Sequence, residues 1–464
     1  MRDHVGNRAV VLGGSVAGTL AARVLAEFYH DVVVVDRDTV LGVSTARKGT
    51  PHARHAHGLH GRGHLILEEL FPGFTEDMVR KGYPVGDLGE MRWYFNNRRL
   101  PYTKTGLLSV TPIRPILEHE IRTRVAALAN VTYLERHDVL GLVSTADSGR
   151  VVGARVRPRE GAEEEVVLDA DLVVDATGRG SRTPVWLEEM GYGRPAEERV
   201  KIGLAYTTRF YRRVPGSFED TWSINPVASP GHPRGAFFGL SDEDMCIVSL
   251  TGILGDHPPT DPDGFLEFAR SLPVPDVYEG IKDAEPLDDP TSFGFPASVR
   301  RRYEDLRRFP AGLAVLGDAV CSFNPVYGQG MSVAAWEAMT LRGHLREGRF
   351  DPGAYLGALG KVVDNPWQVA AGGDLAFPGV EGRRTAETDM GNAYVSQVQD
   401  AASKDPEVAK GFMRVAGLID PPSALMEPPM RARVLRACGD TTTSGGGVPV
   451  TVPRPSDKKL PGAA

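Results

Sequence analysis

Near the start of the chain, Gly13-Gly14-Ser15-Val16-Ala17-Gly18 has the small side chains and the spacing to cradle a phosphate. Glycines let backbone approach an anion, and the free amides and dipole of a following helix attract one. Asp36 lies 23 residues beyond Gly13, where a carboxylate can accept hydrogen bonds from the hydroxyls of a nucleotide ribose. A second set stands far downstream: Gly317-Asp318, then Phe323-Asn324-Pro325-Val326-Tyr327, then Gly328-Gln329-Gly330-Met331. Asp318 can accept from polyol hydroxyls. The amides of Gly328, Gly330 and Met331, at a helix start, can stabilise negative charge that develops on a bound group. Between the two sets, Thr177-Gly178-Arg179-Gly180-Ser181 forms a third glycine turn.

These residues need a frame. Arg8 to Leu12 reads as a buried strand, Thr19 to Phe28 as a helix, and Val32 to Val35 as a second strand ending in Asp36. Strand, glycine turn, helix, strand, acid is the order of a dinucleotide-binding unit, with Ser15 in place of the middle glycine. Asp171 to Ala176 and Leu313 to Leu316 are further strands, each feeding a glycine turn, and Val333 to Arg346 is strongly helical. Arg114 to Leu128 reads as a helix, and Val131 to Val143 returns to the sheet. Met91 to Tyr102 reads as a hairpin turning at Asn96-Asn97. Val200 to Arg213, Ala236 to Leu240 and Met245 to Thr251 are strand-rich, while Phe265 to Leu272 and Ser298 to Arg307 read as helical. Beyond residue 360 come helices, with Tyr394, Val395 and Val398 on one apolar face and Val408, Phe412 and Val415 on another.

The long block from Gly317 to Ser332 resembles the ribityl-binding motif of FAD-dependent monooxygenases of the aromatic-hydroxylase type (class A). The resemblance spans roughly residues 8 to 370. It implies an α/β fold: a Rossmann-like FAD-binding domain of the GR2-like type, an inserted, mostly antiparallel substrate sheet, and C-terminal helices. FAD-binding segments are expected at 1–90, 111–198 and 301–360, a substrate-domain hairpin at 91–110 and its sheet at 199–300. C-terminal helices are expected at 361–438 and a disordered, Gly/Pro-rich tail at 439–464. The family's cofactor contacts fall on Gly13, Gly14, Ser15, Ala17, Gly18, Asp36, Arg37, Arg47, Arg114, Val139, Gly178, Asp318, Pro325, Gly328, Gly330 and Met331. Arg47 opens RKGTPHARHAHGL, which looks like a stretch found in a bacterial branch that includes polyketide epoxidases of polyether antibiotics. In the middle motif Thr177 stands where the family usually has an aspartate, and Val320-Cys321 close the downstream block where aromatic hydroxylases often have Ala-His.

Five of the twelve histidines, His52, His55, His57, His60 and His64, fall between positions 52 and 64, and His60 and His64, four apart, could share a helix face and offer a zinc site. No aspartate, glutamate or cysteine completes a metal set among them, so they read as a basic, cofactor-facing loop after Arg47 and no metal is expected. The net charge of −7 gives no electrostatic support for nucleic-acid binding. The longest apolar stretch, Ala9 to Ala26, is broken by glycines and Arg23, so no membrane span is expected. Three scattered cysteines and no evident leader fit a cytoplasmic protein.

The resemblance implies a flavin reduced by NAD(P)H that docks transiently, since no second dinucleotide motif is present; a flavin reductase is an admissible partner. Oxygen then adds at flavin C4a and one atom is transferred, so the protein needs no catalytic side chain of its own. It must supply a dry pocket. Phe323, Pro325, Val326 and Tyr327 are expected to face the flavin. Trp93, Phe95, Tyr206, Phe210, Phe237 and Phe238 are candidates for the opposite wall, about half of which should point to the other face of their sheet. No acid or base is evident for a phenol, which favours epoxidation over hydroxylation of a hydrophobic, polyketide-like intermediate. Two alternatives stay open: a non-redox cyclase that folds a polyene for [4+2] cycloaddition with FAD in a structural role, and a FAD-dependent double-bond reductase. No WxWxIP stretch of the flavin halogenases occurs.

Overall fold

A computed structural model of the chain describes residues 4–110, 113–161, 164–218, 220–242 and 244–439. Apart from Gly439, the expected tail lies outside the described residues. Ala9-Val10-Val11-Leu12 is apolar on both faces and wholly buried, which suits the centre of a covered parallel sheet. Gly6–Leu12 takes that place, with Val10 opposite Val33 on one side and Val173 on the other. The five parallel strands run in the order Leu313–Val315, Leu172–Asp175, Gly6–Leu12, Tyr29–Val35, Val131–Leu134. The helices Val16–Leu25 and Gly330–Leu345 pack together in the same core. So does Val151–Pro158, the middle strand of an antiparallel sheet made with His137–Ser144 and Val166–Asp169.

The first helix begins at Val16, directly after the extended Ser15, rather than at Thr19, and it ends at Leu25. The expected strand over 131–143 is two strands in two sheets, because Arg136 takes a positive φ of 57° and turns the chain.

A seven-stranded sheet forms the second layer, in the order Thr291–Phe295, Leu204–Arg212, Met245–Gly252, Arg234–Leu240, Ser223–Pro226, Arg92–Phe95, Arg98–Arg99. All of its contacts are antiparallel except that between Ser223–Pro226 and Arg92–Phe95. Asn96 and Asn97, at φ of 48° and 61°, make the hairpin turn that joins the last two strands. One face of this sheet is sealed by the helices Pro262–Arg270 and Asp276–Ile281, which bury Phe238, Val248 and Leu250.

Ser298–Arg302 is a strand followed by a short 3-10 turn, not the expected helix over 298–307. It lies antiparallel to Ala196–Val200, and the charges explain the pairing: Arg301 bridges to Glu197 and Arg302 to Glu198. Opposite charges facing one another across strands stabilise the ladder. The C-terminal helices Ala386–Ala402, Pro406–Ala416 and Pro428–Cys438 pack around Val398, Val408, Phe412 and Val415. Tyr394 is half-buried there, whereas Val395, expected on the same face, is 38% exposed.

Candidate functional site

Gly13, at φ +102°, turns the chain out of its strand. A Cβ there would meet Ala176 O at 2.5 Å, and one on Gly18 would sit 1.8 Å from Gly13 O. Both positions therefore require glycine, and the helix lies directly on the turn. The Gly14 amide donates to Asp36 Oδ2 at 2.7 Å, and the Asp38 amide to Asp36 Oδ1 at 2.8 Å. Burial raises the Asp36 pKa, opposed by Arg47 and these two amides. Arg37 is exposed beside it, and Val139 lies half-buried in the neighbouring strand.

The sequence reading misses the centre of this cleft, Glu118. Its Oε1 accepts from Ser15 Oγ and Arg114 Nε, both at 2.8 Å, and its Oε2 accepts from Arg47 at 3.1 Å and Arg122 at 3.0 Å. Burial alone would raise its pKa, but Arg114, Arg47 and Arg122 hold it well below the usual carboxylate range. A buried glutamate among arginines has no motif; the only hint is its place one helical turn after Arg114.

Two further turns face this cleft. Asp175, not Thr177, organises the middle one, accepting from the Thr177 amide at 2.9 Å and from the hydroxyls of Thr177 and Thr183 at 2.6 Å, with Ser181 as well. Gly178, at φ +78°, and Gly180 both front open space. Arg301 pins this turn to the downstream one, donating to Arg179 O and Ala319 O at 2.9 Å. At the downstream turn Gly317, at φ +68°, lies against Ala17, where a Cβ would come within 2.8 Å. Its amide donates to the buried Glu337. The Asp318 carboxylate is half-buried and has no hydrogen-bond partner among the described residues; burial raises its pKa against the pull of Arg114, Arg179 and Arg301. An unsatisfied carboxylate beside glycine turns that front open space, with Gly330 also fronting open space, fits the polyol chain of FAD.

Pro325, Val326, Tyr327 and Gly328 form one end of a cavity of about 150 Å³. Gly328, at φ +63°, leaves room for His60, whose Nε2–H donates to Tyr327 O at 2.7 Å. Met331 is buried at the helix start. Phe323 is buried in the main core and does not line the cavity. Of the six expected wall aromatics, Trp93, Tyr206 and Phe237 line it. Phe238 points to the helix-covered face, and Phe95 packs edge-on against Phe412. Phe210 shares the face of Tyr206 by strand alternation but lies beyond the cavity.

His55, His57 and His60 all line this cavity, but among the described residues no three His, Cys, Asp or Glu side chains come together as a metal site. His64 bonds Thr75 at 3.0 Å. Arg114 donates to His57 Nε2 at 3.1 Å while His57 Nδ1 donates to His55 O at 2.9 Å, which fixes His57 as the neutral Nδ1–H tautomer. His55 lines the cavity. Its Nδ1 meets Thr208 Oγ1 at 2.7 Å, Thr208 meets Ser249 Oγ at 2.5 Å, and Ser249 accepts from the Ala56 amide at 3.1 Å. Burial, then the charge of Arg54, lowers the His55 pKa to about 4, so its ring is neutral. Its Nε2 is buried without a partner, as are Trp222 Nε1 and Asn225 Oδ1 in the same wall.

Among the described residues no helix is long and apolar enough to cross a membrane. Residues 9–186 match the FAD dependent oxidoreductase family. Protein Rv3254 of Mycobacterium tuberculosis is 34% identical over 456 residues, covering 90% of this chain and 92% of that protein. A kynurenine 3-monooxygenase of Salinispora tropica is 26% identical, over 72% of this chain and 71% of its own length. The flavin-dependent brominase Bmp2 shares the fold with a TM-score of 0.63 at 16% identity, over 93% of this chain and 98% of that one. The carboxylate cradle and the glycine turns thus sit in a chain that belongs to the FAD-dependent oxidoreductase family, an enzyme whose cofactor is FAD.

Proposed function

We propose that the protein is a monooxygenase, reduced by NAD(P)H, that inserts one oxygen atom from O2 into a largely apolar, polyketide-like molecule. The observation that carries this reading is the apolar cavity that ends on the loop after Asp318. When bound, FAD supplies electron transfer to oxygen and delivery of one oxygen atom. On this reading Gly13, Gly14, Ser15, Ala17 and Gly18 hold the diphosphate, with Arg47 and Arg114 beside it. Asp36, near Arg37, takes the adenosine ribose and Val139 the adenine. Gly178 and Asp318 flank the ribityl chain, and Pro325 together with the amides of Gly328, Gly330 and Met331 faces the ring. The cavity wall excludes water, which would waste the oxygen as hydrogen peroxide.

From the sequence alone, the lack of a placed base favours epoxidation. His55 in the cavity removes that reason and brings hydroxylation level with it. The test starts from FAD-loaded protein under nitrogen. NADPH or NADH, with a flavin reductase as a second route, should bleach the flavin. Oxygen-18 gas should then put one labelled atom into an accepted substrate. Flavin that neither route reduces, or a product isomeric with its substrate and formed without oxygen, overturns the proposal; the isomer identifies a cyclase.

A further inference from the structure

Asp374 is a buried carboxyl that the proposed reaction leaves unused. It is 1% exposed and tied to the loop that ends the cavity. It follows the π turn Gln368–Gly372, which interrupts the spiral continuing from the helix Pro352–Trp367; turns of this kind are frequent at functional sites. Its Oδ1 accepts from Asn324 Nδ2 at 2.8 Å, and Asn324 Oδ1 in turn accepts from the Val326 amide at 3.0 Å. An acceptor at Asp374 thus fixes which end of the Asn324 amide faces the loop. The hydroxyl of Tyr327 faces the same carboxyl, and it lies so near the chain that a Cβ on Gly373 would meet it at 2.4 Å. Oδ2 makes no hydrogen bond among the described residues. Asp374 therefore holds the loop at Asn324 and Tyr327, on either side of Pro325 and Val326, while His60 holds Tyr327 O from another element.

Resting on the reading that this loop faces the flavin ring, we propose that Asp374 is a positioning residue. As a neutral acid behind the loop, it sets where the amides of Gly328 and Gly330 stand, and so how strongly the site favours reduced flavin. A lone buried carboxylate is costly, and the groups that offset its burial are Asn324 and Tyr327, both uncharged; the carboxyl is pushed up to about 7. In the neutral form Oδ2 carries a hydrogen that it can donate to the Tyr327 hydroxyl, while Oδ1 keeps Asn324. Neutrality also serves the chemistry. Reduction adds negative charge to the ring, and a carboxylate behind the loop would oppose that charge, whereas a neutral acid leaves the loop amides to stabilise it.

The experiment measures the midpoint potential of FAD-loaded protein at about pH 6 under nitrogen, by equilibration with a reference dye, together with the melting temperature. Asp374→Leu should lose tenfold or more of the preference for reduced over oxidised flavin, a fall of about 30 mV for a two-electron couple. Asp374→Asn keeps an acceptor for Asn324 and a donor for Tyr327, so it should stay within threefold of the wild type. An Asp374→Leu protein that melts lower but keeps the wild-type potential would show a merely structural carboxyl and overturn the proposal. So would an Asp374→Asn protein that falls as far as Asp374→Leu, because charge would then be what the loop needs. If Asp374→Leu yields no folded protein, Asn324→Leu and Tyr327→Phe cut the same two links from the loop side, and wild-type potentials in both overturn the proposal. The potential is read without oxygen or substrate, so failure of the oxygen-18 experiment with these shifts intact would instead count against the monooxygenase reading.

Discussion

Arg114 links two sites that lie far apart in the chain: its Nε donates to Glu118 at 2.8 Å, while its Nη1 donates to His57 Nε2 at 3.1 Å. One guanidinium therefore couples the Glu118 cluster beside the first glycine turn to the histidine loop that walls the cavity. Glu118 is the common acceptor of Arg47, Arg114 and Arg122, and removing one member of a buried ionic cluster costs about 3–5 kcal/mol. Glu118→Gln should lower the melting temperature by several degrees and reduce the FAD retained through purification. A variant that melts with the wild type and keeps its flavin would show that the arginines need no carboxylate.

Asp318 and Asp36 should behave differently when shortened. The Asp318 carboxylate has no hydrogen-bond partner among the described residues, so Asp318→Ala should weaken FAD binding by about 10- to 150-fold, the equivalent of about 1.5–3 kcal/mol, and leave the apoprotein as stable as before. Asp36 holds the amides of Gly14 and Asp38. Asp36→Ala should therefore destabilise the apoprotein as well. Equal melting temperatures for the two apo variants would contradict this division.

Gly18→Ala should be the most damaging single methyl in the chain's first turn. The added Cβ has no room beside Gly13 O, and backbone lies on both sides of the contact. Overpacking of this kind costs 1–3 kcal/mol or more. Soluble yield and flavin content should both collapse, whereas Gly180→Ala, which fronts open space, should be recovered in good yield. Normal flavin content in Gly18→Ala would falsify the close approach.

Glu337 makes stability depend on pH. Its carboxyl is buried and pushed up to about 8, with only the Gly317 amide opposing. Because the folded pKa lies above the unfolded one, the stabilisation is complete below about pH 4.5 and is lost as pH rises through about 8. Between pH 5 and 8.5 the wild type should lose on the order of a few kcal/mol more than Glu337→Gln, read from denaturant midpoints of FAD-loaded protein. Parallel pH profiles would place the titrating group elsewhere.

Much of the frame is legible in the residues themselves. Ala9 to Leu12, Val32 to Val35 and Leu172 to Asp175 are apolar enough to demand buried parallel strands, and the glycine turns after the first and the last of them carry their own geometry. Ser298 to Arg302 is not legible, because its strand depends on Glu197 and Glu198 a hundred residues away. Glu118, Arg301 and Asp175 escape sequence reading for a related reason: each is an ordinary charged residue until tertiary structure surrounds it. His55 is visible as one of five histidines, but only the strand register that brings Thr208 and Ser249 together separates it from its neighbours.

Phe412 touches Phe95 edge-on, Phe95 stacks on Trp93, and Trp93 lines the cavity. The C-terminal helices thereby reach the cavity at one remove, through this row of three rings. Substitutions at Phe412 would let the hairpin settle inward or outward and resize the chamber without changing any residue that meets the ligand. The glycine turns and the Glu118 cluster lie outside this row of rings, so such a change would leave them as they are.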